Sequence, residues 1–143
     1  MQGAFPTAIK HLMAVAMQTF KKRERLCSAT ETDRLFREGK AIFRHPIKLI
    51  WLHAAWEGPP LVKVIISVPK RNFRHAVSRN RIKRIIRECY RKNKWMLFQG
   101  LGNQKCYIGL VFSGKEIPHY NNLEPIIIQL FQRLIREHEK TAG

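Results

Sequence analysis

The chain has 143 residues, 45% of them hydrophobic, which suits one domain with its own core and leaves little room for a second. Its 27 Lys and Arg against 10 Asp and Glu leave a formal charge of +17, an excess that repels itself unless a polyanion compensates it, so nucleic acid is the default partner. A membrane partner would want an amphipathic anchor or an apolar span of about 20 residues, and the sequence shows neither convincingly.

Residues 1–19 stand apart from the rest. Leu12-Met13-Ala14-Val15-Ala16-Met17 is apolar but short for a signal-peptide core, and no small-residue cleavage site follows. The Arg and Ser of an organellar transit peptide are missing as well. The segment is expected to be a dispensable extension, with Met17 as the physiological start and one domain over 20–140. Mass spectrometry of the native N-terminus checks this.

No internal repeat or low-complexity tract appears. After the basic cluster Lys21-Lys22-Arg23-Glu24-Arg25, Ser28-Ala29-Thr30-Glu31 has the spacing of a capping box, and Gly39 offers a left-handed stop. A helix over about 30–38 follows, with Thr32, Leu35 and Phe36 on one face. The period then changes. Ile47, Leu49 and Trp51 alternate with Lys48, Ile50 and Leu52, Glu57-Gly58-Pro59-Pro60 makes a turn, and a second apolar run covers 61–68 before Pro69. A short strand at 41–43 precedes them, and these strands are expected to pair antiparallel because the gap between the long ones is too short for a crossover. A long helix runs from His75 or Ala76 to about Phe98, with Gly100 and Gly102 as breakers. Residues 106–112 form a continuous apolar run that reads as a central strand. Asn121-Asn122-Leu123-Glu124-Pro125 opens a last helix with proline in its first turn, and Leu123, Ile126, Ile127, Leu130 and Leu134 carry it to about Glu139. The order α-β-β-β-α-β-α predicts an α+β two-layer sandwich.

The three cysteines, Cys27, Cys89 and Cys106, are odd in number and widely spaced, which suits reduced cytoplasmic thiols. The histidines are scattered too, so no structural zinc is expected. Paired carboxylates, a histidine pair and a nucleophile motif are all missing, so no bond-breaking chemistry is assigned to side chains.

The charge concentrates in one place. Between Lys70 and Lys94 lie eleven cations against the single Glu88. At about 100° per residue, Ile82, Ile85, Ile86 and Cys89 share one face, while Asn80, Lys83, Arg84, Arg87, Arg91 and Lys94 lie opposite. A merely solvated face would mix signs to gain ion pairs, whereas like charges on one stripe cost about 0.2–0.5 kcal/mol per pair. A polyanion offsets that cost, since guanidinium forks fit phosphate oxygens and Asn80 can meet a ribose hydroxyl or base edge. Glu88 is better read as an ion-pair partner than as a metal ligand.

The run Arg79-Asn80-Arg81-Ile82-Lys83-Arg84-Ile85-Ile86-Arg87-Glu88 resembles the signature helix of the bacterial ribonuclease P protein family. Phe20-Lys21-Lys22-Arg23-Glu24-Arg25-Leu26 resembles its N-terminal motif, Asp33-Arg34-Leu35-Phe36-Arg37-Glu38-Gly39 the helix that follows, and Ile66-Ser67-Val68-Pro69-Lys70-Arg71 the end of its third strand. The resemblance covers about residues 20–139. It implies a four-stranded mixed sheet with a left-handed β-α-β crossover, a hand that general statistics would not have predicted. It implies partnership with a catalytic RNA in removing the 5′ leader of precursor tRNA, with magnesium held mainly by the RNA. Arg79, Asn80, Arg81, Lys83, Arg84, Arg87 and Arg91 would then meet the catalytic RNA, together with Lys70, Arg71, Lys21, Lys22, Arg23 and Arg25. A cleft of Phe20, Thr32, Phe36, Ile50 and Ser67 would take the single-stranded leader. Thr32 and Ile50 depart from the family, which often has aromatics there. Phe36 and Ile50 read equally well as ordinary packing.

The principal rival is a structural, ribosomal-type RNA-binding protein. A DNA-binding module is disfavoured because no second helix follows by a tight turn.

Overall fold

The computed structural model describes residues 20, 22–102 and 104–142; the proposed N-terminal extension and Lys21 lie outside them. A short 3-10 turn at Lys22–Glu24 leads into α1 (Ala29–Glu38), β1 (Lys40–Arg44), β2 (Ile47–His53) and β3 (Val62–Ser67). Then come α2 (Ala76–Leu101), β4 (Cys106–Phe112) and α3 (Tyr120–Ala142).

The sheet order is β1-β2-β4-β3. β1 and β2 form an antiparallel hairpin from Lys40↔Trp51 to Arg44↔Ile47, and β2 pairs antiparallel with β4 from Ile47↔Phe112 to His53↔Cys106. β3 pairs parallel with β4, Val62↔Cys106 to Ser67↔Val111. The expected antiparallel pairing therefore holds for β1 and β2 but not for β2 and β3, which never touch as neighbours. β4 takes the place between them because nearly all of its residues are buried, on both faces, and only an interior position shields such a strand.

Strand alternation divides the core in two. Ile47, Leu49, Trp51, Val62, Val64, Ile108, Leu110 and Phe112 face α2 and α3, where Ile82, Ile86, Tyr90, Leu123, Ile127 and Phe131 meet them. Ile50 and Tyr107 face the other way and meet Leu26 and Leu35, which is fully buried on α1. Each such buried side chain contributes about 1.5–3 kcal/mol. Cys89 and Cys106 belong to the first layer, and burial pushes both thiols up to about 12, so they pack as small protonated hydrophobes.

Several boundaries differ from the sequence reading. Ser28 does cap α1, its side chain accepting from the Glu31 amide at 3.3 Å, but the Glu31 carboxylate is taken by the Tyr107 hydroxyl. Gly39 is extended, with φ −71° and ψ 156°, not left-handed. Space explains its lack of a side chain: a Cβ there would lie 2.5 Å from the Leu35 carbonyl oxygen and 2.7 Å from Ile50 Cγ2. α2 runs on through Gly100, where a Cβ would strike Ile135 of α3 at 2.5 Å, and stops at Gly102, φ +63°. α3 starts one residue earlier than expected, so Pro125 lies in its second turn.

Candidate nucleic-acid interface

Phe20 and residues 22–26 are bound across the molecule as a strap. The Leu26 amide donates to the Val64 carbonyl at 2.8 Å, and Arg25 forms a parallel bridge with Val64 at the open edge of β3. Phe20 meets the Tyr90 ring edge-on at 5.4 Å, and the Arg25 guanidinium lies over Phe20, also at 5.4 Å. Glu24, 6% exposed, forms an ion pair with Lys94 of α2, 2% exposed. A buried pair of this kind fixes register, because separating its members would leave charge uncompensated in the core.

That pair corrects the predicted stripe, since Lys94 turns inward to the strap instead of outward. The buried residues of α2, Ile82, Ile86, Cys89, Tyr90, Asn93, Lys94, Leu97 and Leu101, drift around the helix because 3.6 residues per turn do not repeat in seven. Asn80, Arg81 and Arg84 remain exposed, and Lys83, Arg87 and Arg91 are half-buried. Arg79 serves the helix start: its guanidinium donates to the Phe73 carbonyl at 2.7 Å and to Arg74 at 2.9 Å, where His75 gives no side-chain cap. Arg91 donates to Glu88 at 3.1 Å, and this bond, against opposing burial, draws the Glu88 carboxyl below its ordinary range. Glu88 is thus an ion-pair partner, as its sequence setting suggested.

The strap brings Arg25 toward α2. Burial first, then the charges of Arg25 and Arg84, lower the Arg87 pKa, and its Nε is buried without a hydrogen-bond partner. The charges acting on it are both cationic, which suits an anion entering between strap and helix. Lys22 and Arg23 are exposed on the strap, and Lys70 and Arg71 are exposed in the turn after β3.

The five cleft candidates do not share one surface. Phe36, 43% exposed, leans over the sheet face that α1 only partly covers. A Cβ at Gly109 of β4 would lie 3.2 Å from Leu35, tighter than ordinary contact, with Ile65 at 3.6 Å and the Phe36 ring at 3.7 Å, so the glycine gives Leu35 room to close α1 onto the sheet face that Phe36 and Ile65 share. Ser67 lies two residues from Ile65 on the same face of β3. Thr32 is one turn before Phe36, with its hydroxyl donating to the Ser28 carbonyl at 2.8 Å. Ile50 is 6% exposed beneath α1, and Phe20 packs with the α2 layer on the opposite side of the sheet. Ile50 therefore supplies packing, and Phe20 positions Arg25. Gly109 and Ile65 were missed in sequence. A lone glycine in the bulky run Cys106–Phe112 was the available signal.

Fold and surface together define an α+β protein whose cationic helix links two adjacent parallel strands. Solved structures share this fold: an RNase P protein from Staphylococcus aureus, TM-score 0.63, 17% identical, covering 78% of this chain and 94% of that one, and one from Thermotoga maritima, TM-score 0.61, 23% identical, covering 78% and 97%. The family model for ribonuclease P matches residues 20–121. The ribonuclease P protein component of Porphyromonas gingivalis is 34% identical over 105 residues, 72% of this chain and 77% of its own, and that of Chlorobium phaeobacteroides is 35% identical over 91 residues, 62% and 59%. The chain belongs to the ribonuclease P protein family, and membership implies a role in tRNA processing.

Proposed function

We propose that this protein is the subunit of ribonuclease P that binds the catalytic RNA through α2 and Arg25 of the strap and holds the 5′ leader of precursor tRNA against the Phe36 cleft. The observation that carries this reading is the convergence of Arg25, Arg84 and Arg87, with Asn80 and Arg81 exposed beyond them, on one surface separate from the cleft. Guanidinium groups crowded on one surface suit backbone phosphates, whereas Phe36 and Ile65 suit unstacked bases. The two surfaces bind different parts of one assembly, and the endonucleolytic step that frees the leader belongs to the RNA.

Magnesium in this reading is held mainly by the RNA. The described residues contain no group of three or more His, Cys, Asp or Glu side chains suited to a metal. In this reading the protein's part is binding and positioning. No helix among the described residues is long and apolar enough to cross a membrane, and the proposed location is the cytoplasm. Reconstitution tests the proposal. Precursor tRNA cleavage by the catalytic RNA at low magnesium should accelerate, or bind substrate more tightly, when the protein is added; unchanged rate and affinity defeat it and leave a purely structural RNA-binding role.

A further inference from the structure

A second groove, of about 580 Å³, opens at the far end of α1 from the Phe36 cleft, between the strap, the start of α1 and the β2–β3 loop. Lys22, Arg23, Arg25 and Lys63 line it against two carboxylates, Glu31 and Glu57. Glu31 is already engaged, accepting from the Tyr107 hydroxyl and lying 3.9 Å from Lys63. The groove therefore keeps an excess of positive charge.

Strand geometry connects this groove to the cleft. Lys63, Ile65 and Ser67 alternate onto one face of β3, so a line from Lys63 in the groove passes Ile65 beside Phe36 and ends at Ser67, about 13 Å away at 3.3 Å per residue. The exposed Lys70 follows in the next turn.

Trp56 shows which part of a nucleotide the groove would take. Its ring stacks on Tyr107 at 5.3 Å and 13°, its Nε1 donates to the Pro60 carbonyl at 2.7 Å, and the Lys63 ammonium lies over it at 4.8 Å. Lys105 holds the same loop by donating to the Trp56 and Gly58 carbonyls. With Tyr107 stacked against it and Lys63 over the ring, Trp56 buttresses Lys63 more readily than it receives a base.

We infer that this groove is a backbone-tracking extension of the leader path: single-stranded RNA leaving the Phe36 cleft on the 5′ side runs along β3 past Lys63 and lays its phosphates on Lys63, Lys22 and Arg23, beside the Arg25 that turns toward α2. The inference rests on the reading that the cleft takes the leader. It makes recognition in the groove depend on leader length and salt, and not on leader sequence.

The test uses the reconstituted holoenzyme with two precursor tRNAs, carrying leaders of about 4 and about 16 nucleotides, the range of single-strand site sizes. Lys63→Ala should weaken binding of the long-leader substrate several-fold, make its salt dependence shallower by about 0.7 per lost phosphate contact, and leave the short-leader substrate unchanged. Lys63→Arg should restore the long-leader affinity. Equal affinities of wild type and Lys63→Ala for the long leader overturn the inference, as does an equal loss on both substrates. If Lys63→Ala does not fold, Glu31→Gln serves instead, since it keeps an acceptor for Tyr107 and removes the counter-charge. Long-leader binding should then tighten, and unchanged or weaker binding overturns the inference. Phe36→Ala on the short leader reports on the cleft separately, so a failed groove and a failed cleft are told apart.

Discussion

The outer face of α2 and the open sheet face beside α1 are two candidate RNA surfaces made in different ways. On α2, neighbouring residues along one helix carry the charge, and the strap adds Arg25 from a short distance in space. Beside α1, Phe36, Ile65, Gly109 and Ser67 come from three elements and share one sheet face only because β4 entered the sheet between β2 and β3. The first surface depends on Coulomb attraction and should respond to salt; the second depends on shape and apolar contact and should respond to side-chain volume.

The largest expected effect breaks the link between strap and helix. Lys94→Ala removes the ammonium paired with buried Glu24 and should cost about 3–5 kcal/mol in urea unfolding, while Glu24→Leu combined with Lys94→Met should recover much of that stability. A loss well below 1 kcal/mol would show that the strap is not held by this pair. Next comes Phe36→Ala, which should weaken binding of leader-bearing substrate by about 1–3 kcal/mol with the salt slope unchanged. Titrating precursor and mature tRNA in parallel separates this loss from a general one.

Arg84→Ala should do the reverse. It should weaken affinity for the catalytic RNA and make the salt slope shallower by about one unit, with no dependence on the leader. An unchanged slope in a folded variant would return α2's exterior to an ordinary solvated face.

The smallest effect concerns a pair outside both surfaces, a histidine pair that the scattered sequence positions did not show and the fold brings together. His53 at the end of β2 meets His138 of α3 at 3.1 Å between ring nitrogens, with Lys40 of β1 also nearby. Burial, then His138 and Lys40, lower the His53 pKa from its usual 6.5, so the folded protein binds fewer protons there than the unfolded chain does. This contribution to stability is present above pH 6.5 and is lost as pH falls through the lowered value. The urea midpoint should decline on acidification below about pH 6.5, and His53→Gln should flatten the decline. Parallel profiles for the two proteins would exclude the pair as its source.

The contrast between the surfaces also explains what was legible in the sequence. Elements with a strong local period were placed within a few residues: α1, the β2 and β3 runs, the start of α2, and β4 over its full extent. The cationic face of α2 was legible because helical spacing is a local property, and the family could be read from the same run. Lys94 shows where that logic ends. Its angle on the helix wheel was right, but the wheel contains no strap, and only the fold brought Glu24 over it.

Sequence alone thus determined the α+β class, its element order and the charge of α2, which follow from composition and short-range periodicity, and the family, which follows from the resemblance of its motifs. Tertiary structure decided which strand lies at the centre, which side of α2 receives the strap, and that Phe36, not Ile50, reaches the open face. Those outcomes depend on contacts between residues far apart in the chain, where burial on both sides of β4 and the space left by Gly39 and Gly109 select one arrangement among several that local pattern allows.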